Sequence, residues 1–157
     1  DGRVAATDPA GSSSRSPGCP ARVEVATRRR QSFMLLFVDI DAMKSINDSE
    51  GHHEGDKALV DTARLLEETC RSSDLAARIG GDEFCVLLTD ASDGAAKTFI
   101  NRLQEAVDEH NRTASRPFHL SLSVGMAAFD PDNPGSIEEL MKGADEAMYE
   151  VKDDPAN

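Results

Sequence analysis

Two acids close a short apolar run in Phe37-Val-Asp39-Ile-Asp41, and two more stand in Gly80-Gly81-Asp82-Glu83. Carboxylates at the end of a buried strand lose solvation, and a divalent cation offsets that loss well. Side chains alternate along a strand, so Asp39 and Asp41 point to one side for as long as the backbone stays extended. Gly80 and Gly81 permit positive φ and leave the backbone open to a ligand. Carboxylates from a strand end and a neighbouring turn suit two-metal phosphoryl transfer. There, one ion lowers the pKa of an attacking hydroxyl and the other neutralises a polyphosphate. Asp-rich strand ends and Gly-Asp turns are also common as plain surface structure, and for either motif alone that is the commoner reading. Together the residues reach magnesium-dependent nucleotide chemistry, with the surface-turn reading still open beside it.

Those acids need elements to hold them. The continuous apolar run Phe33–Val38 reads as a strand buried on both faces. Residues 54–71 carry Leu59, Ala63, Leu66 and Cys70 at helical spacing. Leu75–Ile79 and Phe84–Leu88, joined only by the Gly-Gly-Asp-Glu tetrapeptide, read as a β-hairpin. A second helix is expected over residues 95–112, with Phe99, Leu103 and Val107 on one stripe. A strand is expected over 119–129, where Leu120, Leu122 and Val124 alternate with small polar residues. Ser136-Ile-Glu-Glu139 is a capping box opening a last helix, with Ile137, Leu140, Met141, Ala144 and Met148 toward the core. The order strand, helix, hairpin, helix, strand, helix describes an α+β domain with a central, mainly antiparallel sheet covered by helices.

Residues 1–31 read as linker or poorly ordered chain: GSSSRSPGCP is rich in coil formers, and residues 22–32 are open to a helix, against which Arg28-Arg29-Arg30 reads as solvated. The folded domain is then residues 32–157. At 157 residues the chain suits one domain, and because it opens with Asp we expect it to be a piece of a longer protein. No apolar run approaches the roughly 20 residues of a membrane-spanning helix, and the polar N-terminus is no secretory signal. Net charge is −12, of which residues 1–30 contribute about +3, so the rest of the chain is strongly acidic. Such a body repels nucleic-acid backbones yet accepts a nucleotide whose phosphates are bridged by magnesium. Cys19, Cys70 and Cys85 have neither CxxC spacing nor an even count, which argues against a disulfide framework or zinc site and for a reducing cytoplasm. His52 and His53 read as helix-entry spacers rather than ligands.

Arg78-Ile-Gly-Gly-Asp-Glu-Phe84 reproduces the signature of GGDEF domains, the catalytic domains of diguanylate cyclases. Asp39-Ile-Asp-Ala-Met-Lys-Ser-Ile-Asn47-Asp48 resembles that family's D-x-D-x-F-K-x-x-N-D block, and Gly51-His52-His-Glu-Gly55-Asp56 its G-H-x-x-G-D. Ser121-Leu-Ser-Val-Gly125 is similar to its S-x-G strand, and Ala144-Asp145-Glu-Ala-Met-Tyr149-Glu-Val-Lys152 to its A-D-x-A-L-Y-x-A-K helix. The resemblance covers about residues 32–152 in five ordered blocks.

The resemblance implies a fold similar to the nucleotide cyclase and polymerase palm, which is ferredoxin-like. It implies condensation of two GTP into cyclic di-GMP across a homodimer, with Mg²⁺ or Mn²⁺ held by Asp39, the Ile40 carbonyl and Asp82. Asp82 and Glu83 would be the catalytic acids. Asn47 and Asp56 would bind the guanine edge, and a carboxylate there selects guanine over adenine. The amides of Ala42, Met43 and Lys44 would cradle phosphates, and Lys152 would contact the outer ones. Arg71-Ser-Ser-Asp74 matches the family's R-x-x-D inhibitory site for the cyclic product, with Arg102 as an added contact. Control by an upstream sensory domain, and a cytoplasmic location, follow from the same resemblance.

Three departures stand out. Thr7-Asp8-Pro9-Ala10-Gly11 is at best a remnant of the D-x-L-T-G-L-x-N-R-R opening. Met43 replaces an aromatic, and Ala156 stands where the family places a phosphate-binding Arg. Losing one charge-assisted contact costs about 1.5–3 kcal/mol, so weaker GTP binding is expected with the metal site intact. The alternative reading is a degenerate, non-catalytic domain that binds cyclic di-GMP or GTP as a regulatory module.

Overall fold

The computed structural model of the chain describes residues 19–89, 92–132 and 137–153. At positions 19, 20, 137, 138, 141 and 151–153 it describes the backbone alone. Its central strand, β1 (Phe33–Ile40), is buried at every position, as its unbroken apolar run requires. Successive side chains face opposite sides of a sheet. Met34, Leu36, Val38 and Ile40 accordingly enter one core cluster, and Phe33, Leu35 and Phe37 the other. Each fully buried side chain of this size contributes roughly 1.5–3 kcal/mol, so β1 anchors both layers.

The hairpin strands β2 (Leu75–Gly80) and β3 (Glu83–Thr89) and the later strand β4 (Leu122–Phe129) complete a four-stranded sheet in the order β2-β3-β1-β4. Every pairing is antiparallel. Helices cover both faces. On one side lie α2 (Met43–Glu50), α3 (His52–Thr69) and α4 (Asp93–Thr113), with Ile46, Leu66, Phe99 and Leu103 in the core. On the other lie α1 (Cys19–Arg28) and α5 (Ile137–Asp153), which bring Val23, Ala26, Ala144 and Met148. Gly125 makes the α5 packing possible. A Cβ there would fall 2.2 Å from the Met148 amide nitrogen and 2.3 Å from the Ala144 carbonyl oxygen.

The expected α+β architecture is present, with two helices beyond the expected element order. The first, α1, runs through the expected linker because Val23 and Ala26 dock on β2 and β3; Arg28 and Arg30 stay exposed, as expected of that run. The second, α2, hides from periodicity because Ile46 is its one buried residue. Gly51, at φ +92°, breaks α2 from α3, a conformation that favours glycine. Cys85 is disulfide-bonded rather than the free thiol expected, whereas Cys70 is free. The expected cap Ser136, the residues around Asp8 and Ala156 lie outside the described residues.

A buried polar cluster ties the helical layer together. Arg116 grips Asp61 bidentately, Nε to Oδ2 at 2.9 Å and Nη2 to Oδ1 at 3.0 Å. His110 Nε2 approaches the same carboxylate at 3.2 Å, and Arg64 Nη2 lies 3.3 Å from His110 Nδ1. Asp61 is 4% exposed, so the pairing offsets a desolvation that an isolated carboxylate could not sustain.

Candidate active site

Pairing of β1 with β3 carries the two acidic motifs to one end of the sheet. Asp39 is the ladder partner of Glu83 on β3 and of Ser123 on β4. The Ile40 amide donates to the Asp82 carbonyl at 3.2 Å. Asp39 is only 7% exposed, while Asp82 and Glu83 are half-buried. Like charges directly opposite in a ladder disfavour each other, and a hard cation between oxygens reverses the sign of that interaction. The donor set of carboxylates plus a strand-end carbonyl is the kind that Mg²⁺ or Mn²⁺ accepts. Among the described residues no three His, Cys, Asp or Glu side chains close into a metal cage, so an ion here would share its shell with water or phosphate.

The signature turn keeps its backbone open. Gly81 and Asp82 form the two-residue loop between β2 and β3, with Gly81 at φ +35°, the sign tight hairpins require of a first loop residue. Arg78 Nε donates to the Gly81 carbonyl at 2.9 Å and braces the loop. A Cβ at Gly80 or Gly81 would meet no described atom within 4 Å, which leaves room for a ligand against the backbone.

Beyond β1 the chain turns sharply. Ala42 adopts φ 55°, ψ 32°, and α2 starts at Met43. A non-glycine residue in this region costs about 1–2 kcal/mol, so the turn is held by its surroundings. The first amides of a helix lack intrahelical acceptors and attract anions. Ala42 and Lys44 are exposed and Met43 is half-buried. Asn47, further along α2, lies against α3: a Cβ on Gly55 would sit 1.8 Å from Asn47 Oδ1. Gly55 therefore leaves room for the Asn47 amide against α3, and the next residue, Asp56, is exposed. Lys152 belongs to the last turn of α5, and its side chain is outside the described residues. His52 and His53 are exposed at the start of α3.

The third expected group stands apart. Arg71 and Asp74 precede β2, at the opposite end of the hairpin from Gly81, roughly 20 Å away for a strand of this length. Asp74 Oδ2 accepts the Arg71 amide at 2.9 Å, and the Asp74 amide donates back to the Arg71 carbonyl at 3.0 Å, closing the turn. Arg71, Asp74, Thr98, Phe99 and Arg102 line a groove between this turn and α4. Cys70 beside it has its thiol pushed up to about 12, by burial first and then by Asp74 and Glu67. It is neutral near pH 7 and no nucleophile.

Two residues take places in the structure that their spacing did not give. Asp41 does not continue the strand beside Asp39, because β1 ends at Ile40; its carboxylate instead accepts Ser121 Oγ at 2.7 Å and Ser123 Oγ at 2.5 Å. Gly55 showed no role until Asn47 was seen upon it. The Asp-x-Asp and Ser-x-Ser spacings were the available signal for the first.

The family model for the diguanylate cyclase GGDEF domain matches residues 21–157. The chain belongs to the GGDEF family. Diguanylate cyclase A of Treponema denticola is 32% identical over 130 residues, covering 82% of this chain and 35% of that protein. Other curated relatives are likewise longer, this chain spanning 20% of one and 35% of another. Among solved structures, the GGDEF domain of YfiN (TpbB) from Pseudomonas aeruginosa is 36% identical with TM-score 0.72, covering 83% of this chain and 81% of that one. The GGDEF domain of DgcB from Caulobacter crescentus, solved with c-di-GMP, is 25% identical with TM-score 0.71, covering 83% and 77%. These GGDEF neighbours share the antiparallel, helix-covered fold described above. Among the described residues no helix is long and apolar enough to cross a membrane.

Proposed function

We propose that this chain is the catalytic domain of a diguanylate cyclase, condensing two GTP into cyclic di-GMP and two pyrophosphates. The observation that carries the reading is the meeting of Asp39 and Glu83 across one ladder, with the Asp82 backbone bonded to Ile40. Mg²⁺ or Mn²⁺, when bound, would supply Lewis-acid stabilisation of the transferring phosphoryl group. Asp39, Asp82 and the Ile40 carbonyl would hold it. Asp82 and Glu83 take up the proton of the attacking 3′-hydroxyl. The Ala42, Met43 and Lys44 amides and Lys152 cradle the triphosphate, and Asn47 and Asp56 read the guanine edge. In a homodimer, each 3′-hydroxyl attacks the α-phosphate of the GTP on the facing protomer; two phosphodiester bonds form and two pyrophosphates leave.

The catalytic unit in this reading is residues 32–157, with 1–31 leading into it from an upstream sensory domain in a cytoplasmic setting. The groove of Arg71, Asp74 and Arg102 takes the cyclic product. An arginine fork pairs with phosphate and stacks on guanine, and a carboxylate accepts from its edge. That groove also favours a second reading, a domain that only binds cyclic di-GMP. Asp82→Ala separates the two. The cyclase reading expects synthesis to fall below detection while cyclic di-GMP binding persists. Loss of product binding as well would refute the division into two sites.

A further inference from the structure

We propose that Asp41 is a positioning residue, clamped by Ser121 and Ser123 of the β4 side, that sets the turn between the metal-binding strand end and the phosphate-binding helix start. The inference rests on the cyclase reading and adds to it three residues outside its metal, guanine and phosphate groups.

The geometry is a three-point attachment. The Asp41 amide donates to the Ser121 carbonyl at 2.9 Å, Ser121 Oγ donates to Asp41 Oδ2 at 2.7 Å, and Ser123 Oγ donates to Asp41 Oδ1 at 2.5 Å. Both carboxylate oxygens thus accept from hydroxyls, and hydrogen bonds to a charged acceptor are the stronger kind. Asp41 sits between the Ile40 carbonyl and the Ala42 amide, the two backbone groups that the cyclase reading assigns to metal and phosphate. Ala42 holds a left-handed conformation rare for a residue with a Cβ, and such a conformation persists only where neighbours over-determine it. Ser123 is also the ladder partner of Asp39, so one serine spans the metal carboxylate and the clamp. Ser123 is buried, and the Asp41 carboxylate supplies its hydroxyl with an acceptor. With both oxygens turned to β4, Asp41 acts through the backbone it fixes and not as a metal ligand.

The test is the double variant Ser121→Ala, Ser123→Ala in the whole chain. Steady-state synthesis would be measured against both GTP and Mg²⁺, alongside binding of a fluorescent non-hydrolysable GTP analogue and of cyclic di-GMP. The clamp predicts at least a fivefold rise in the Mg²⁺ concentration for half-maximal rate and in KM for GTP. It predicts cyclic di-GMP affinity within twofold of the parent, and recovery in Ser121→Thr, Ser123→Thr, which restores both hydroxyls. An equal weakening of nucleotide and product binding would mark a merely structural role and overturn it. So would an unchanged Mg²⁺ requirement. If the parent chain binds the analogue but makes no product, the cyclase reading fails while analogue affinity still decides the clamp. If the parent chain binds no analogue, both fall.

Discussion

Asp39 and the Asp82-Glu83 pair come from distant segments and meet only because β1 pairs with β3, whereas Arg71 and Asp74 share one turn, and α4 closes their groove with Thr98, Phe99 and Arg102. The first site inherits its geometry from sheet register, and a one-residue slip of β1 would send Asp39 to the other face. The second is local and rests on hydrogen bonds inside the turn. At the strand end, backbone groups stand beside one buried acid, Asp39, and the half-buried Asp82 and Glu83. In the groove, the exposed Arg71 and Arg102 flank a half-buried Asp74 that the turn itself holds. The two should therefore respond independently to mutation, and Asp82→Ala, with its complete loss at one site alone, is the largest contrast.

Gly55→Ala sharpens the comparison from within the strand-end region. The new methyl would displace Asn47 from the place where the cyclase reading has it meet guanine, and losing such a contact costs about 1.5–3 kcal/mol, so on that reading KM for GTP should rise roughly 10- to 100-fold. Alanine is the better helix former by up to about 1 kcal/mol, so the variant should melt no lower than its parent once Asn47 has moved. Thermal melting beside initial-rate kinetics checks both halves. Weaker GTP use without loss of stability is the signature of a displaced ligand group.

Arg71→Ala probes the other region, and its effect on synthesis should be the smallest of the set. Product affinity, followed by calorimetry, should drop about tenfold or more, the loss expected for a bidentate charged contact. The initial rate of synthesis should stay within about twofold, as expected of sites that do not touch. A rate that fell together with product affinity would break the separation of the two regions.

The sheet was readable because β1 is apolar at every position and the hairpin motif carries its own glycines. The layer α1 was not readable from composition: Val23 and Ala26 are too few to make a periodic stripe, and they matter only against the β2–β3 surface. The helix α2 was hidden for the same reason, with Ile46 its one core residue. Asp39, Asp82 and Glu83 were marked by their motifs, whereas the role of Asp41 depends on Ser121 and Ser123, which only the pairing of β4 with β1 brings into reach. Gly55 is legible only after Asn47 is seen lying on it. Disulfide bonding of Cys85 ran against the cysteine count, since spacing carries no information about which thiols the fold brings together.

The most direct measurement is chromatography of the purified chain incubated at high concentration with GTP and Mg²⁺, with its oligomeric state followed in parallel by light scattering. A cyclic di-GMP peak, with pyrophosphate released in equal molar amount per GTP consumed, is the predicted result. Unchanged GTP in a sample shown to be dimeric would contradict the cyclase reading and leave the Arg71–Asp74 groove as a receptor for the cyclic dinucleotide.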